Sequence, residues 1–546
     1  MPKRSIYDQT KLLEMVIKLC ENKRQNGIIL AMDQEKAYDK IDHTYLWKTM
    51  KTYGIPDTFI KQVKNLYEKA QTAIRLNGCT TEAFDIHRGV RQGDPLSCLL
   101  YNIAIEPLFE SIRLSPLKGI KISPETHNVL ISTYADDTTI YLNENNSIDE
   151  LYRRINAFCK ASTARFNNLK TEIIPIGGEE YRQEILASRT FNGTPIEAEV
   201  KIAKDGEAIR ILGSWQGNKA NANHKWNEVI EKQLGTMKAW ARTRPSLLAR
   251  VRIAKALIAS KALYLMTVNG IPPEYLKRME KNIKSFIWMG KRGTIAWEQA
   301  IRSKQEGGIG APSVASQFEA SKIMWLKRWM AADQERPKWA WAANEILVGA
   351  RTLAPTIDPT IITEWVEQKW RSRINIEDIP QSLRDLLKAA KRYNLKISVV
   401  RAPMELKLQM PAFSHPGRKT NRKENTKSSK CLRKNHAIIL TGDLATFAKG
   451  PLPDEEESEC LLGTQKCREY AKSLLNSLSD VWNPYSQSPI KQRNHHTPRR
   501  LRQYANLNIT RDPIPFNPDP PRPRVPPSQH QNLWHPKWIY TKPKSC

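Results

Sequence analysis

Three aspartates stand in positions that could do chemistry. Asp136 and Asp137 are adjacent in Tyr134-Ala135-Asp136-Asp137, between the strand-like runs Val129 to Ser132 and Thr138 to Leu142. Asp33 directly follows the apolar run Gly27-Ile28-Ile29-Leu30-Ala31-Met32. A hairpin with the acidic pair at its turn presents both carboxylates together, and flanking apolar strands hold them rigidly. A third carboxylate at the end of a neighbouring strand completes a set of oxygen ligands. Such a set suits Mg2+, which wants octahedral oxygen coordination and leaves part of its shell to phosphate and water. Two divalent ions close together are what nucleotidyl transfer needs: one activates a primer 3′ hydroxyl, the other holds the triphosphate and the leaving pyrophosphate. Taken alone, each piece has a plainer reading. An Asp-Asp in a loop is usually a solvated turn, and Asp33 could cap a helix.

The elements that would position these residues are legible in outline. Gly27 to Met32 reads as a buried strand. Leu46 to Tyr53 reads as a helix stopped by Gly54 and Pro56, and Asp57 is expected to cap a second helix through Ala70. Pro95 to Arg113 is a third helix with proline at its start, and Asp42 and Asp94 look like caps. Ser147-Ile148-Asp149-Glu150 reads as a capping box opening a helix to about Phe166. Thr171 to Ile176 is again strand-like. The order predicts an α+β domain with antiparallel pairing. A basic, helical zone follows over about 216–330, with Trp226, Leu234, Met237 and Trp240 at helical spacing. From 331 the chain is Trp-rich, then polar and basic near 415–435. From about Asn483 it is rich in Pro, Arg, Gln and His, and the proline run Pro513 to Pro527 is not expected to fold alone.

Composition narrows the class. Lys and Arg total 86 against 56 Asp and Glu, a net charge of +30 in 546 residues. A surplus that large implies a polyanionic partner, with nucleic acid well ahead of an acidic surface. The mean hydropathy of −0.55 is that of a soluble chain, and no apolar run is long enough to span a bilayer. The start shows no secretory pattern, so the expectation is an intracellular protein, nuclear and/or cytoplasmic, not secreted. Of eight cysteines none has Cys-x-x-Cys spacing, and all read as free thiols in a reducing compartment. Cys460 and Cys467 with His495 and His496 match no common zinc spacing and are read as unliganded.

Order and spacing decide between the plain and the chemical readings. Asp33-Gln34-Glu35-Lys36-Ala37-Tyr38-Asp39-Lys40-Ile41-Asp42-His43 comes first, then Arg88-Gly89-Val90-Arg91-Gln92-Gly93-Asp94-Pro95-Leu96-Ser97, then Tyr134-Ala135-Asp136-Asp137. As a set they resemble the palm of reverse transcriptases, and among them the non-LTR (LINE-type) retrotransposon class. Asn168-Leu169-Lys170-Thr171-Glu172 and Ile211-Leu212-Gly213 look like that family's next motifs. Phe286-Ile287-Trp288, Trp297, Gly307-Gly308-Ile309-Gly310 and Gln317 look like its post-thumb segment.

The resemblance covers roughly residues 1–330 and implies a right-hand polymerase, with partial fingers and palm over 1–215 and a helical thumb and post-thumb segment over 216–330. Beyond it, composition gives a region of unknown role over 331–480 and an expected disordered, Pro/Arg-rich tail over 481–546. It implies an RNA-directed DNA polymerase that joins dNTPs to a DNA primer or target on an RNA template, with Mg2+ (or Mn2+). Asp33, Asp136 and Asp137 would be the catalytic carboxylates and metal ligands. Tyr38 would be the aromatic gate against a 2′ hydroxyl, Gln92 and Gly93 the loop against nucleotide and template, and Lys170 the cation near the pyrophosphate. Tyr38 and Ala135 favour DNA over RNA as product. The chain departs from the family at its start, where Arg4-Ser5-Ile6-Tyr7-Asp8 resembles the middle of the fingers. The expectation is an N-terminally truncated element, and the rival reading is a catalytically impaired remnant that only binds nucleic acid.

Overall fold

The apolar run before Asp33 is the middle strand of a five-stranded sheet. Strand β1 (Gly27–Met32) pairs antiparallel with β3 (Asp137–Asn143) on one side and with β4 (Glu172–Ile176) on the other. Strand β2 (Ile131–Tyr134) lies beyond β3 and β5 (Lys201–Ile202) beyond β4, so the order is β5-β4-β1-β3-β2. The antiparallel expectation holds for β1 to β4; the short β4–β5 pair is parallel. This computed structural model describes residues 5–123, 128–221, 223–329, 336–350, 376–392, 404–409, 412–413, 415, 426–450, 460, 462–478 and 483. They form two compact units divided at residue 222.

In the first unit β1 is buried on both faces, which is why its residues are apolar without alternation. Ile28, Leu30 and Met32 face a core shared with helices α2 (His43–Thr52), α3 (Asp57–Glu68), α4 (Ser97–Arg113) and α5 (Ile148–Ser162). The sequence-predicted helices are all present, with shifted ends. Asp42 caps α2 through its side chain, which accepts a hydrogen bond from Tyr45 N–H at 2.8 Å. Asp57 is not a cap: Pro56 holds that position and Asp57 sits in the first turn. Asp94 Oδ1 accepts from Leu96 N–H at 2.8 Å, one turn ahead of α4. Ser147 accepts from Glu150 N–H as expected, but α5 stops at Ser162, short of Phe166. Thr163 takes a left-handed φ of 59°, and Phe166 leaves to bridge Gln34. Tertiary pairing outcompetes another helical turn there.

Arg182 on α6 (Glu179–Ser188) is almost fully buried and paired with Asp205 at 2.7 Å, tying α6 to the loop after β5. Ile211-Leu212-Gly213 lies at the tip of a two-stranded hairpin, Ile209–Ile211 with Ser214–Gln216.

The second unit is helical where it is described. Helix α7 (Lys225–Ala241), α8 (Leu247–Ile253), α9 (Ser260–Asn269), α10 (Pro273–Trp288) and α11 (Val314–Trp329) come first, and α12 (Lys338–Gly349) and α13 (Gln381–Arg392) follow. A π-helical turn, Ala254–Ala259, joins α8 to α9. Of the residues read at helical spacing, Trp226 and Met237 are buried, Leu234 is half-buried and Trp240 is exposed; Trp325, Trp329 and Trp339 are buried too. Trp329 keeps its indole N–H satisfied on Asn344 Oδ1 at 2.9 Å. Lys238, Arg242, Arg244, Arg252, Lys255 and Lys261 are exposed. No helix among the described residues is long and apolar enough to cross a membrane. The acidic run Asp454 to Glu457, His495, His496 and the proline-rich tail lie outside the described residues.

Candidate active site

Sheet register brings the sequence-predicted carboxylates together. Because β1 runs antiparallel to both neighbours, its C-terminal end meets the N-terminal ends of β3 and β4. Met32 is opposite Thr138, and Ala31 is opposite both Thr139 and Glu172. Asp33 therefore emerges beside Asp137, the first residue of β3, and beside Lys170, which precedes β4 in a short 3-10 turn. Lys170 Nζ lies 3.5 Å from Asp33 Oδ2. Asp136 occupies the turn itself: Tyr134 pairs with Asp137, leaving Ala135 and Asp136 as the two turn residues. Ala135 carries a φ of 53°, which a side chain adopts at a cost. Helix α1 (Ile6–Lys23) braces the hairpin, with Gln9 Nε2 donating to Thr133 O at 2.6 Å.

A second set of backbone bonds pins Asp33 itself. Asn167 N–H donates to Asp33 O and Glu35 N–H to Arg165 O, both at 2.9 Å. The segment that cut α5 short is thus what clamps this strand end.

Tyr38 stands nearby on a rigid base. Its ring stacks on Tyr101 with centroids 4.6 Å apart and planes 14° from parallel, and its hydroxyl donates to Cys98 Sγ at 3.6 Å. Tyr101 is fully buried on α4 and donates to Gln34 Oε1 at 2.6 Å. The loop 88–94 is stitched to the Tyr38 segment: Val90 N–H donates to Tyr38 O at 2.6 Å and Gly89 N–H to Ile41 O at 2.7 Å. Gly89 is what permits this. Its φ is 86°, and a Cβ there would lie 2.7 Å from Asp39 Cα. Gln92 and Gly93 stand exposed on this loop, Gly93 at a φ of 89° with open space around it. The structure therefore gathers Asp33, Asp136, Asp137, Lys170 and Tyr38. It ties Gln92 and Gly93 to them through backbone rather than side-chain contact.

Tyr101, Gln34 and Gly89 escape a reading of the sequence for site residues. Tyr101 has the same signal as its core neighbours Leu100, Ala104 and Ile105 on α4, so its place beneath Tyr38 is invisible to periodicity. Gln34 and Gly89 lie inside the quoted motifs, but their work is tertiary.

The charges crowd each other. The Asp137 carboxyl is held above its ordinary value, first by the protein atoms packed around it and then by the negative charges of Asp136 and Asp33. Tyr38 is pushed up to about 12, by burial first, then by its bond to Cys98 and by the charges of Cys98 and Asp136. Three converging carboxylates that repel one another, with hard oxygen donors and solvent access at Asp136, are a donor set a divalent cation fits.

Known proteins resemble this chain in part. Residues 1–213 match the family described as reverse transcriptase (RNA-dependent DNA polymerase). Curated proteins to which the chain is similar come from transposable elements. The chain is 26% identical over 497 residues to the transposon TX1 uncharacterized 149 kDa protein of Xenopus laevis, covering 90% of this chain and 36% of that one. It is 26% identical over 319 residues to the Pol polyprotein of the type-2 retrotransposable element R2DM of Drosophila melanogaster, covering 58% and 29%. It is 24% identical over 267 residues to the RNA-directed DNA polymerase from the mobile element jockey, also of Drosophila melanogaster, covering 48% and 28%. The chain spans about a third of the length of these curated relatives.

Proposed function

We propose that the protein is an RNA-directed DNA polymerase of a non-LTR retrotransposon, adding dNTPs to a primer 3′ hydroxyl on an RNA template. In this reading residues 1–215 are partial fingers and palm, 216–330 thumb and post-thumb, and 331–546 appended regions. The observation that carries it is the meeting of Asp33, Asp136 and Asp137 at one end of an antiparallel sheet, beside a stacked Tyr38.

Asp33, Asp136 and Asp137 would hold Mg2+, or Mn2+ in its place, and the metal pair would supply nucleophile activation and charge neutralisation for an in-line transfer. The rest falls to the chain. Tyr38, fixed against Tyr101, forms a flat wall that fits a deoxyribose and crowds a 2′ hydroxyl. Its hydroxyl, protonated at working pH, donates to Cys98 Sγ and helps fix the ring. Lys170, now balanced by Asp33, is free to turn its charge to a triphosphate when the carboxylates take a cation. Gln92 and Gly93 offer side chain and open backbone to nucleotide and template. The exposed basic residues from Lys238 to Lys261 suit a phosphate backbone, with affinity that falls steeply with salt.

The test is extension of a DNA primer on an RNA template by the full chain in Mg2+ with each kind of nucleotide. The expected result is dNTP incorporation that Asp136→Ala abolishes. Binding of primer-template without any extension, in Mg2+ or Mn2+, defeats the polymerase reading and leaves a nucleic-acid-binding protein. Equal use of ribonucleotides defeats the assignment of Tyr38.

A further inference from the structure

The second unit gathers four side chains that the sequence holds apart. Helix α14 (Lys427–Lys434) carries Cys431, and His436 follows two residues after that helix ends. Helix α16 (Thr464–Asn476) carries Cys467 in its first turn, and Cys460 lies in the loop before it. One ligand atom from each of Cys431, His436, Cys460 and Cys467 falls within 4.8 Å of every other. The sulfurs of Cys431 and Cys460 are 3.7 Å apart, and those of Cys460 and Cys467 are 3.5 Å apart.

Those spacings discriminate. A disulfide needs sulfurs about 2.05 Å apart. Sulfurs bound at about 2.3 Å around one tetrahedral ion stand roughly 3.8 Å apart. The observed distances are close to the tetrahedral edge. His436 supplies an independent observation: its Nε2 is buried and meets no hydrogen-bond partner. A buried polar nitrogen left unbonded is costly, and in a native fold it calls for a partner such as an ion. The backbone strains to bring it there, because Ala437, with no glycine's freedom, has a φ of 48°. The Phe447 ring, on α15 (Thr441–Lys449), packs 4.6 Å from the imidazole and shields it.

We propose that Cys431, His436, Cys460 and Cys467 form a closed tetrahedral site for Zn2+ or an ion of its class. Three thiolates and one imidazole select a borderline-soft ion over the oxygen-seeking Mg2+ of the other unit. Four protein ligands leave no open position, so the site is structural. The local core says why one is needed: among the described residues its buried apolar side chains are Phe413, Leu432, Ile438, Leu444, Leu474, Leu475 and Leu478, and the rest on α15 and α16 are largely small, such as Ala445, Ala448 and Ala471. So small an apolar core is of the kind that a metal commonly staples. The cluster overturns the expectation that Cys460 and Cys467 are unliganded, and does so with Cys431 and His436; His495 and His496 lie outside the described residues.

The test uses the full chain purified without chelators. Elemental analysis should find one zinc per chain, unchanged in Asp136→Ala and in the His495→Ala, His496→Ala double variant. Exchange for Co2+ should give the intense visible bands of a tetrahedral site with a sulfur-to-metal charge-transfer band. Cys467→Ser should lose the metal. His436→Ala, which keeps all three thiols, should shift the cobalt bands and weaken retention. The cobalt spectrum of the unaltered chain decides the matter even if the Cys467→Ser chain misfolds. Absence of zinc, an octahedral cobalt spectrum, a Cys460–Cys467 disulfide in the purified chain, or loss of metal with the His495, His496 variant but not with His436→Ala would each overturn the proposal.

Discussion

The carboxylate end of the sheet and the Cys/His cluster of the second unit both suit cations, and they are built by opposite means. The first has hard oxygens, solvent access and mutual repulsion, and its positions come from strand pairing that exists without any ion. The second has soft donors, with Cys431 and Cys467 buried, and its positions come from two helix ends and two loops over a core rich in small side chains. A frame stiffened by a sheet can leave coordination positions open for a substrate. A frame that lacks such stiffness uses its ligands to close on itself. Metal removal should therefore cost the first unit its chemistry and the second its structure.

The sharpest way to break that contrast is Asp33→Asn, which keeps shape and removes charge. Primer extension should fall by more than about a thousandfold, since a lost metal ligand forfeits several kcal/mol of transition-state stabilisation. The fold should not suffer. Asp137 is raised in part by Asp33, so one source of repulsion disappears. Amide exchange at Ile28 to Leu30 should be as slow as before, or slower. Fast exchange there would mean that the carboxylates help to build the sheet, and the contrast would collapse.

The next largest effect tests what holds the first unit together instead. Asp205→Asn leaves the Arg182 guanidinium buried beside a neutral partner, at a cost of about 3 kcal/mol. Burial pushes Asp205 up, but the hydrogen bonds and charge of Arg182, with Lys219, outweigh it and hold the carboxyl below its usual value. A depressed carboxyl gives stability that is present above its unfolded value, near 3.8, and is lost as pH falls through the lower folded value. The gap between the unaltered chain and the variant should be full above that pH and should close in acid. A gap that instead widens as the pH falls would show that Asp205 is not the group responsible.

How much of this the sequence shows depends on range. The buried strand Gly27–Met32 and the turn at Asp136 are local patterns, and both are visible in the order of apolar and polar residues. The family resemblance adds Tyr38 and the loop around Gln92. What hides is whatever needs two distant segments. Helix α5 ends early because Phe166 bridges Gln34, and nothing between 148 and 166 announces it. Tyr101 sits under Tyr38 from 63 positions away, as the stacked rings record. The Cys/His cluster hides most fully, since Cys431 and Cys460 lie 29 positions apart, a separation no familiar spacing suggests.

Gly89→Ala probes one of those hidden contacts. The new Cβ meets Asp39 backbone at 2.7 Å, and backbone cannot swing aside as a long side chain can. The left-handed φ adds its own penalty, so a loss of about 2 kcal/mol is expected. Because Val90 and Gly89 are bonded to Tyr38 and Ile41, the strain should reach the Tyr38 wall and weaken discrimination between dNTPs and ribonucleotides. Urea unfolding and a paired nucleotide-competition assay measure the two parts. A stable variant with unchanged selectivity would show the loop to be independent of Tyr38.

The smallest effect is expected at Ala135, the residue next to the paired carboxylates. Its φ of 53° costs about 1 kcal/mol for a residue with a side chain. Glycine removes that cost but adds chain entropy to the unfolded state, worth about 0.4–1 kcal/mol in the other direction. Ala135→Gly should thus change stability by less than about 1 kcal/mol. Its effect should fall on geometry instead: a looser turn lets Asp136 wander, and extension should slow by a few fold with little change in template binding. Ala135→Val is the control, because a β-branched side chain tolerates this φ least, and it should destabilise the hairpin as well as slow extension. If Ala135→Gly were more active than the unaltered chain, the strained turn would be a hindrance to the carboxylates. The rigidity argued for the sheet end would then lie in β1 and β3 alone.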